Sequence, residues 1–205
     1  MTLLQINTSL FSNSGQSTRL AEQFVAGRRA ADPDLDVVVR DLAREPVPHL
    51  TAERFQAFIA QPEARTPAQE TIVAESDALI EELKAADVVV FGLPMYNFGV
   101  PSQLKAYFDH VARAGVTFRY TEKGPVGLLT GKKAYVFATR GGVYAGTPRD
   151  SETSYVRQFL AFLGITDVEF VYAEGLAISE SSKQASLAKA ANSIARLNGT
   201  ERLAA

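Results

Sequence analysis

The sequence predicts a doubly wound α/β fold, a five-stranded parallel sheet of order 2-1-3-4-5 sandwiched between two layers of helices. Three observations carry that prediction. Short apolar runs alternate with segments of helical periodicity along the chain. The runs are near-continuous instead of alternating, as strands buried on both faces require. Turn-rich loops of unusual chemistry follow the first, third and fourth runs, which are neighbours in that strand order.

The first strand is the apolar run Leu3 to Ile6, followed by a dense turn and cap composition from Asn7 to Thr18. A helix starts there, with Leu20, Phe24 and Val25 on one face, and Val37 to Val39 is the β-branched second strand. Leu42 to Thr66, rich in proline and polar residues, reads as a long excursion with a short helix at Thr51 to Ile59. Thr66-Pro67-Ala68 opens a helix through Ala86, threonine capping it and proline occupying its first turn. Val88 to Phe91 is the third strand. The helix after Pro101 aligns Leu104, Tyr107, Phe108 and Val111, and Gly115 is read as its end. Val116 to Tyr120 and Val126 to Leu129 suggest a hairpin before the fourth central strand, Ala134 to Ala138. Ser151 to Leu163 is helical, Val168 to Tyr172 is the fifth strand, and Ser182 to Leu197 is the closing helix.

The chain of 205 residues suits one domain over 1–205, with no repeat, low-complexity tract or linker. A net charge of -2 and a hydrophobic content of 46% argue against a nucleic-acid-binding face and against disorder. Cysteine is absent, which excludes disulfides, thiolate nucleophiles and thiol relays, so redox chemistry would have to belong to a bound cofactor. The Met1-Thr2-Leu3-Leu4 start lacks a basic leader and no apolar stretch approaches the ~20 residues of a membrane span, so the expected location is the cytoplasm.

Ligands of open α/β sheets bind beyond the carboxyl ends of the strands at the switch point, and the three unusual loops converge there. In the first, Ser9, Gly15, Gln16, Ser17 and Thr18 precede a helix, so hydroxyls, amides and the positive end of the helix dipole can surround a phosphate. Helix capping by Ser17 or Thr18 is the alternative. The loop has neither the lysine of a Walker A motif nor a Gly-x-Gly-x-x-Gly fingerprint, which favours a phosphate held as a handle over one transferred. Pro94-Met95-Tyr96-Asn97-Phe98 places one amide among apolar and aromatic groups, suited to the edge of a flat ring, though Tyr96 and Phe98 are also compatible with core positions. Thr139-Arg140-Gly141-Gly142 lets backbone approach a planar ligand and offers amides to carbonyl oxygens that gain charge on reduction; a tight turn is the alternative. His49 and His110 are read as surface or packing residues, and Arg140 either balances charge near the ligand or forms an exposed ion pair.

Together with Ala112 to Tyr120 and Gly164 to Val168, these segments resemble the FMN-dependent NADH:azoreductases and their NAD(P)H:quinone oxidoreductase relatives, which have a flavodoxin-like fold. The resemblance spans nearly the whole chain and rests most on Met95-Tyr96-Asn97-Phe98 and Ala114 to Tyr120. It implies a homodimer with FMN at the subunit boundary, ping-pong hydride transfer from NADH or NADPH, and quinones and aromatic azo compounds as acceptors. By the same resemblance Ser9, Gly15, Gln16 and Ser17 hold the phosphate and ribityl end. Pro94 to Phe98 and Thr139 to Gly142 frame the isoalloxazine, and Phe98, Tyr120 and Phe162 wall the acceptor pocket. Gly15 stands where many relatives have serine. No side chain need act as acid, base or nucleophile, because the chemistry belongs to the cofactor. Two other functions remain open at this point: a one-electron carrier, usually far more acidic than this chain, and a flavin-free protein using the crevice for another phosphate-bearing ligand.

Overall fold

In the computed structural model, which describes residues 1–200, five strands form one parallel sheet in the order β2-β1-β3-β6-β7. They are β1 (Thr2–Asn7), β2 (Asp36–Asp41), β3 (Val88–Pro94), β6 (Lys133–Thr139) and β7 (Asp167–Ala173). The remaining two strands, β4 (Phe118–Thr121) and β5 (Gly124–Gly127), are the hairpin expected between the third and fourth central strands. Discounting it, the order is 2-1-3-4-5, as expected.

Alternation along the central strands sorts side chains into two cores. Leu4, Ile6, Val89, Phe91 and Val136 pack on one face with α3 (Pro67–Ala85), α4 (Ser102–Val111) and α5 (Ser151–Leu163). Leu3, Val88, Val90, Tyr135 and Phe137 pack on the other with α1 (Gln16–Ala31) and α6 (Glu180–Thr200). Each large apolar side chain so buried contributes roughly 1.5–3 kcal/mol, and the two cores cover the sheet on both faces. The excursion contains α2 (Ala52–Ile59), capped by the Thr51 hydroxyl, while Thr66 and Gln69 cap α3 reciprocally.

Several boundaries differ from expectation: β5 spans Gly124–Gly127 instead of Val126 to Leu129, α6 begins at Glu180 instead of Ser182, and α4 ends early. Helix α4 stops at Val111, four residues before Gly115, because the apolar stripe ends there and the Thr117 hydroxyl takes the Val111 carbonyl at 2.6 Å. Gly115, with φ +80°, instead serves a turn in which its N–H donates to the Phe118 carbonyl at 2.7 Å. No helix among the described residues is long and apolar enough to cross a membrane.

Candidate functional site

The three loops meet. A crevice of about 180 Å³ at the carboxyl ends of β1, β3 and β6 is lined by Ser9, Gly15 and Gln16 from the first loop. Pro94, Met95 and Tyr96 come from the second, Thr139, Arg140 and Gly141 from the third. A neighbouring hollow of about 490 Å³ shares Met95 and Tyr96 and adds Asn97.

The first loop is anchored to β3 by Thr8, whose hydroxyl and amide both donate to the Gly92 carbonyl, at 2.9 and 3.1 Å. Helix α1 then begins with Gly15 as its cap, and no side chain bonds that end. The capping alternative for Ser17 and Thr18 is therefore overturned: both side chains are buried in the first turn, and neither hydroxyl has a partner. Two buried, unpaired hydroxyls beside the free amides of a helix N-terminus make a strong donor set for an anion. A Cβ on Gly15 would lie 2.1 Å from the Ser9 hydroxyl, so glycine here leaves that hydroxyl its place.

On the second loop, Tyr96 and Gly99 exchange both backbone hydrogen bonds at 3.0 Å, and the two residues between them sit at positive φ, Asn97 at +51° and Phe98 at +63°. Neither is glycine, so the turn carries backbone strain. It keeps the Asn97 and Phe98 side chains exposed at the rim, and the core alternative for Phe98 fails. Tyr96 reaches back to the first loop, its hydroxyl accepting from Leu10 N–H at 3.3 Å.

The third loop is braced from behind. The carbonyls of Arg140, Gly141 and Gly142 accept from the amides of Leu176, Ala177 and Gly175, while among the described residues the Gly141 and Gly142 amides bond nothing. Neither glycine has positive φ, so no left-handed backbone conformation requires glycine here. Space does: a Cβ on Gly142 would meet the Tyr144 hydroxyl at 2.5 Å, and one on Gly141 would press on Ala177 at 3.3 Å.

One expectation needs correction. Arg140 forms no exposed ion pair: its side chain is fully buried among Asp150, Glu152 and Glu174, and the charge faces away from solvent. Phe98, Tyr120 and Phe162 do not form one wall within the protomer. Phe98 packs on Tyr144 with ring centroids 5.4 Å apart. Tyr120 packs on Phe118 at 5.4 Å and Phe162 on Phe118 at 4.3 Å, beside a separate hollow of about 630 Å³ also lined by α2. Sequence spacing gave no access to that separation. It also missed Phe11 and Leu176 in the crevice lining, although an aromatic isolated in a polar loop was a usable signal for Phe11. His110 is buried and packs edge-on to Phe58, with burial lowering its basicity, and His49 is exposed.

A doubly wound parallel sheet whose switch point gathers an uncapped helix start, an aromatic rim and open backbone amides is the architecture of the flavodoxin-like class. Residues 1–197 match the family model described as a flavodoxin-like fold. An FMN-dependent NADH:quinone oxidoreductase of Burkholderia lata is 55% identical over 194 residues, covering 95% of this chain and 98% of that protein. One of Cellvibrio japonicus is 52% identical over 188 residues, covering 92% and 94%. The crystal structure of the azoreductase AzrA superposes with TM-score 0.89 at 30% identity, covering 98% of this chain and 100% of that one. A Bacillus anthracis FMN-dependent NADH-azoreductase in complex with FMN gives 0.85 at 26%, covering 96% and 99%. The chain belongs to the flavodoxin-like family of FMN-dependent NADH:quinone oxidoreductases and azoreductases.

Proposed function

We propose that this protein is an FMN-dependent oxidoreductase that passes an electron pair from NADH to quinones, with azo compounds as further acceptors. The observation that carries the reading is the start of α1, capped by no side chain: Gly15 and Gln16 line the crevice where all three loops meet, and the buried hydroxyls of Ser17 and Thr18, next in the chain, have no partner among the described residues. A phosphate offers only acceptors at neutral pH, so it satisfies those donors and the first-turn amides together.

Bound FMN supplies the hydride chemistry, taking the pair from a nicotinamide and yielding it to an acceptor in a ping-pong cycle. The chain's part is to bind, orient and polarise. Ser9, Gly15, Gln16 and Ser17 hold the phosphate and ribityl end. Met95 and Tyr96 line the ring, with Asn97 offering one amide at its edge. The unbonded amides of Gly141 and Gly142 are preorganised donors for charge that develops on reduction, so no side-chain acid or base is needed.

The separation of Phe98 from the Tyr120–Phe162 pair supports a homodimer in which the second copy brings its own Tyr120 and Phe162 over the rim. Exposed Phe11, Phe55, Ile59 and Val143 are consistent with such a contact. A one-electron carrier fits less well, because the chain carries only -2 net charge and keeps an aromatic hairpin beyond the minimal sheet.

Titration of the apoprotein with FMN, followed by NADH oxidation with menadione and methyl red as acceptors, tests the reading. Stoichiometric binding with rapid turnover of both acceptors supports it. Binding without turnover would leave a carrier, and failure to bind FMN would remove the proposal.

A further inference from the structure

Arg140 distributes its donors over the start of α5 and the residue that follows β7. Nε donates to Glu152 Oε2 at 3.3 Å, Nη1 to Glu174 Oε1 at 3.2 Å, and Nη2 to Asp150 Oδ1 at 2.8 Å and Thr153 Oγ1 at 2.9 Å. The guanidinium also lies 5.0 Å from the Tyr172 ring centroid. Asp150, Glu152 and Thr153 begin α5, Glu174 follows β7, and Arg140 opens the Gly141–Gly142 loop.

The linkage continues to the rim of the crevice. Glu174 Oε1 also accepts from the Tyr144 and Ala145 amides at 2.8 Å each, and the Tyr144 ring packs on Phe98. The Ser151 hydroxyl, at the first residue of α5, donates to the Phe98 carbonyl. One buried guanidinium therefore braces the third loop directly and the second through α5 and Tyr144.

Charge in this cluster is unbalanced, since one cation faces three carboxyls. Asp150 also accepts from the Thr153 amide and hydroxyl, and Glu174 accepts two amides. Among the described residues Glu152 has only the Nε contact, and its fully buried Oε1 has no partner. The groups facing it are Arg140 from the end of β6, Asp150 and Thr153 from the start of its own helix, and Glu174 after β7, with Tyr172 beyond the guanidinium. If all three were ionised they would share one guanidinium, with one Glu152 oxygen left unbonded, and protonation of Glu152 removes that excess negative charge.

We propose that Arg140 and Glu152 are a positioning pair for the loop that receives the flavin ring, and that Glu152 performs this role as an uncharged acid. Ionising Glu152 leaves three carboxylates around the single guanidinium that braces this loop and weakens FMN binding. Burial pushes its carboxyl up to about 8, reinforced by Asp150 and Glu174 and opposed by Arg140, so the change falls above neutral pH. The inference rests on the reading that the flavin ring occupies this crevice.

Two measurements separate the failure of one from that of the other. Infrared spectra of the apoprotein between pH ~7 and ~9.5, above the phosphate titration near 6, should show a protonated-carboxyl C=O band at the low end that fades on raising pH and is absent from Glu152→Gln. FMN titrations over the same range should show the wild-type Kd rising about three- to tenfold and that of Glu152→Gln staying flat. Arg140→Lys, which keeps charge and loses the fork, should weaken FMN about tenfold at every pH. Absence of the band in the wild-type apoprotein overturns the proposal without touching the flavin reading, and needs no variant that folds. A wild-type Kd independent of pH, or the same pH dependence in Glu152→Gln, also overturns it, whereas no FMN binding at any pH removes the functional reading itself.

Discussion

Gly92 of β3 lies against the first turn of α1, so that a Cβ at this position would come within 3.1 Å of the Ser17 carbonyl oxygen and 3.2 Å of the Thr18 Cα. The contact is backbone on both sides, and neither can give without moving the helix start. Gly92→Ala is expected to lower apoprotein stability by about 1–3 kcal/mol and to weaken FMN binding in addition. Thermal melts and an FMN titration check this; an apoprotein with unchanged Tm and Kd would mean that the helix start is not held in place by this contact.

Ser17→Ala and Thr18→Val remove buried hydroxyls that have no partner among the described residues. The apoprotein should be no less stable than wild type, because nothing is left unbonded. FMN affinity should fall about tenfold per hydroxyl, the usual scale for a hydrogen bond to a charged acceptor. The opposite pattern, a destabilised apoprotein with unaltered FMN affinity, would assign both hydroxyls to packing.

Asn97→Gly separates the amide from the turn. Glycine adopts the +51° φ of this position without strain, so stability should hold or rise by a few tenths of a kcal/mol. Loss of the amide should still weaken FMN retention several-fold, read as flavin released on gel filtration. Full retention would remove Asn97 from the ring-binding set.

Glu152 gives the apoprotein a distinctive pH profile. Its ordinary value is 4.5 and burial raises it to about 8 in the fold, so the folded state binds this proton more tightly than the unfolded chain. Its contribution to stability is complete below about 4.5 and is lost as pH rises through about 8. Asp150 works in the opposite sense. Burial alone would raise it, but the Arg140 and Thr153 bonds outweigh burial and hold it below its ordinary 3.8, so its contribution disappears only on acidification. Melting temperatures from pH ~5 to ~9 should decline for wild type and stay flatter for Glu152→Gln; parallel curves would contradict the assignment.

Tyr120 is 74% exposed in the protomer, so Tyr120→Ala should change stability by less than about 0.5 kcal/mol and leave FMN binding intact. If a second copy lays this ring over the crevice rim, the ratio of quinone to azo turnover should shift severalfold. An unaltered acceptor panel would place Tyr120 outside the acceptor pocket.

Much of the architecture was legible because the central strands are short and largely apolar, and each helix shows its period or its cap. The Thr66-Pro67 start and the Ser151 to Leu163 helix were read to within a residue. Gly115 misled because a glycine that reverses a loop and one that ends a helix look alike in sequence, and only the Thr117 hydroxyl on Val111 separates them. Arg140 misled more deeply. A charged residue in a glycine-rich loop reads as solvent-facing, and its burial depends on acids 10 to 34 residues away.

The sequence by itself determined the order and type of the elements, and with them the strand edge at which three distant loops converge, because hydrophobic periodicity and turn chemistry are local properties of the chain. Only the tertiary structure decided which hydroxyls are buried without partners, which way Arg140 points, and that Phe98 lies apart from Tyr120 and Phe162. Those outcomes depend on long-range packing: desolvation and pairing are set by neighbours brought together across the sheet, and no local pattern encodes them.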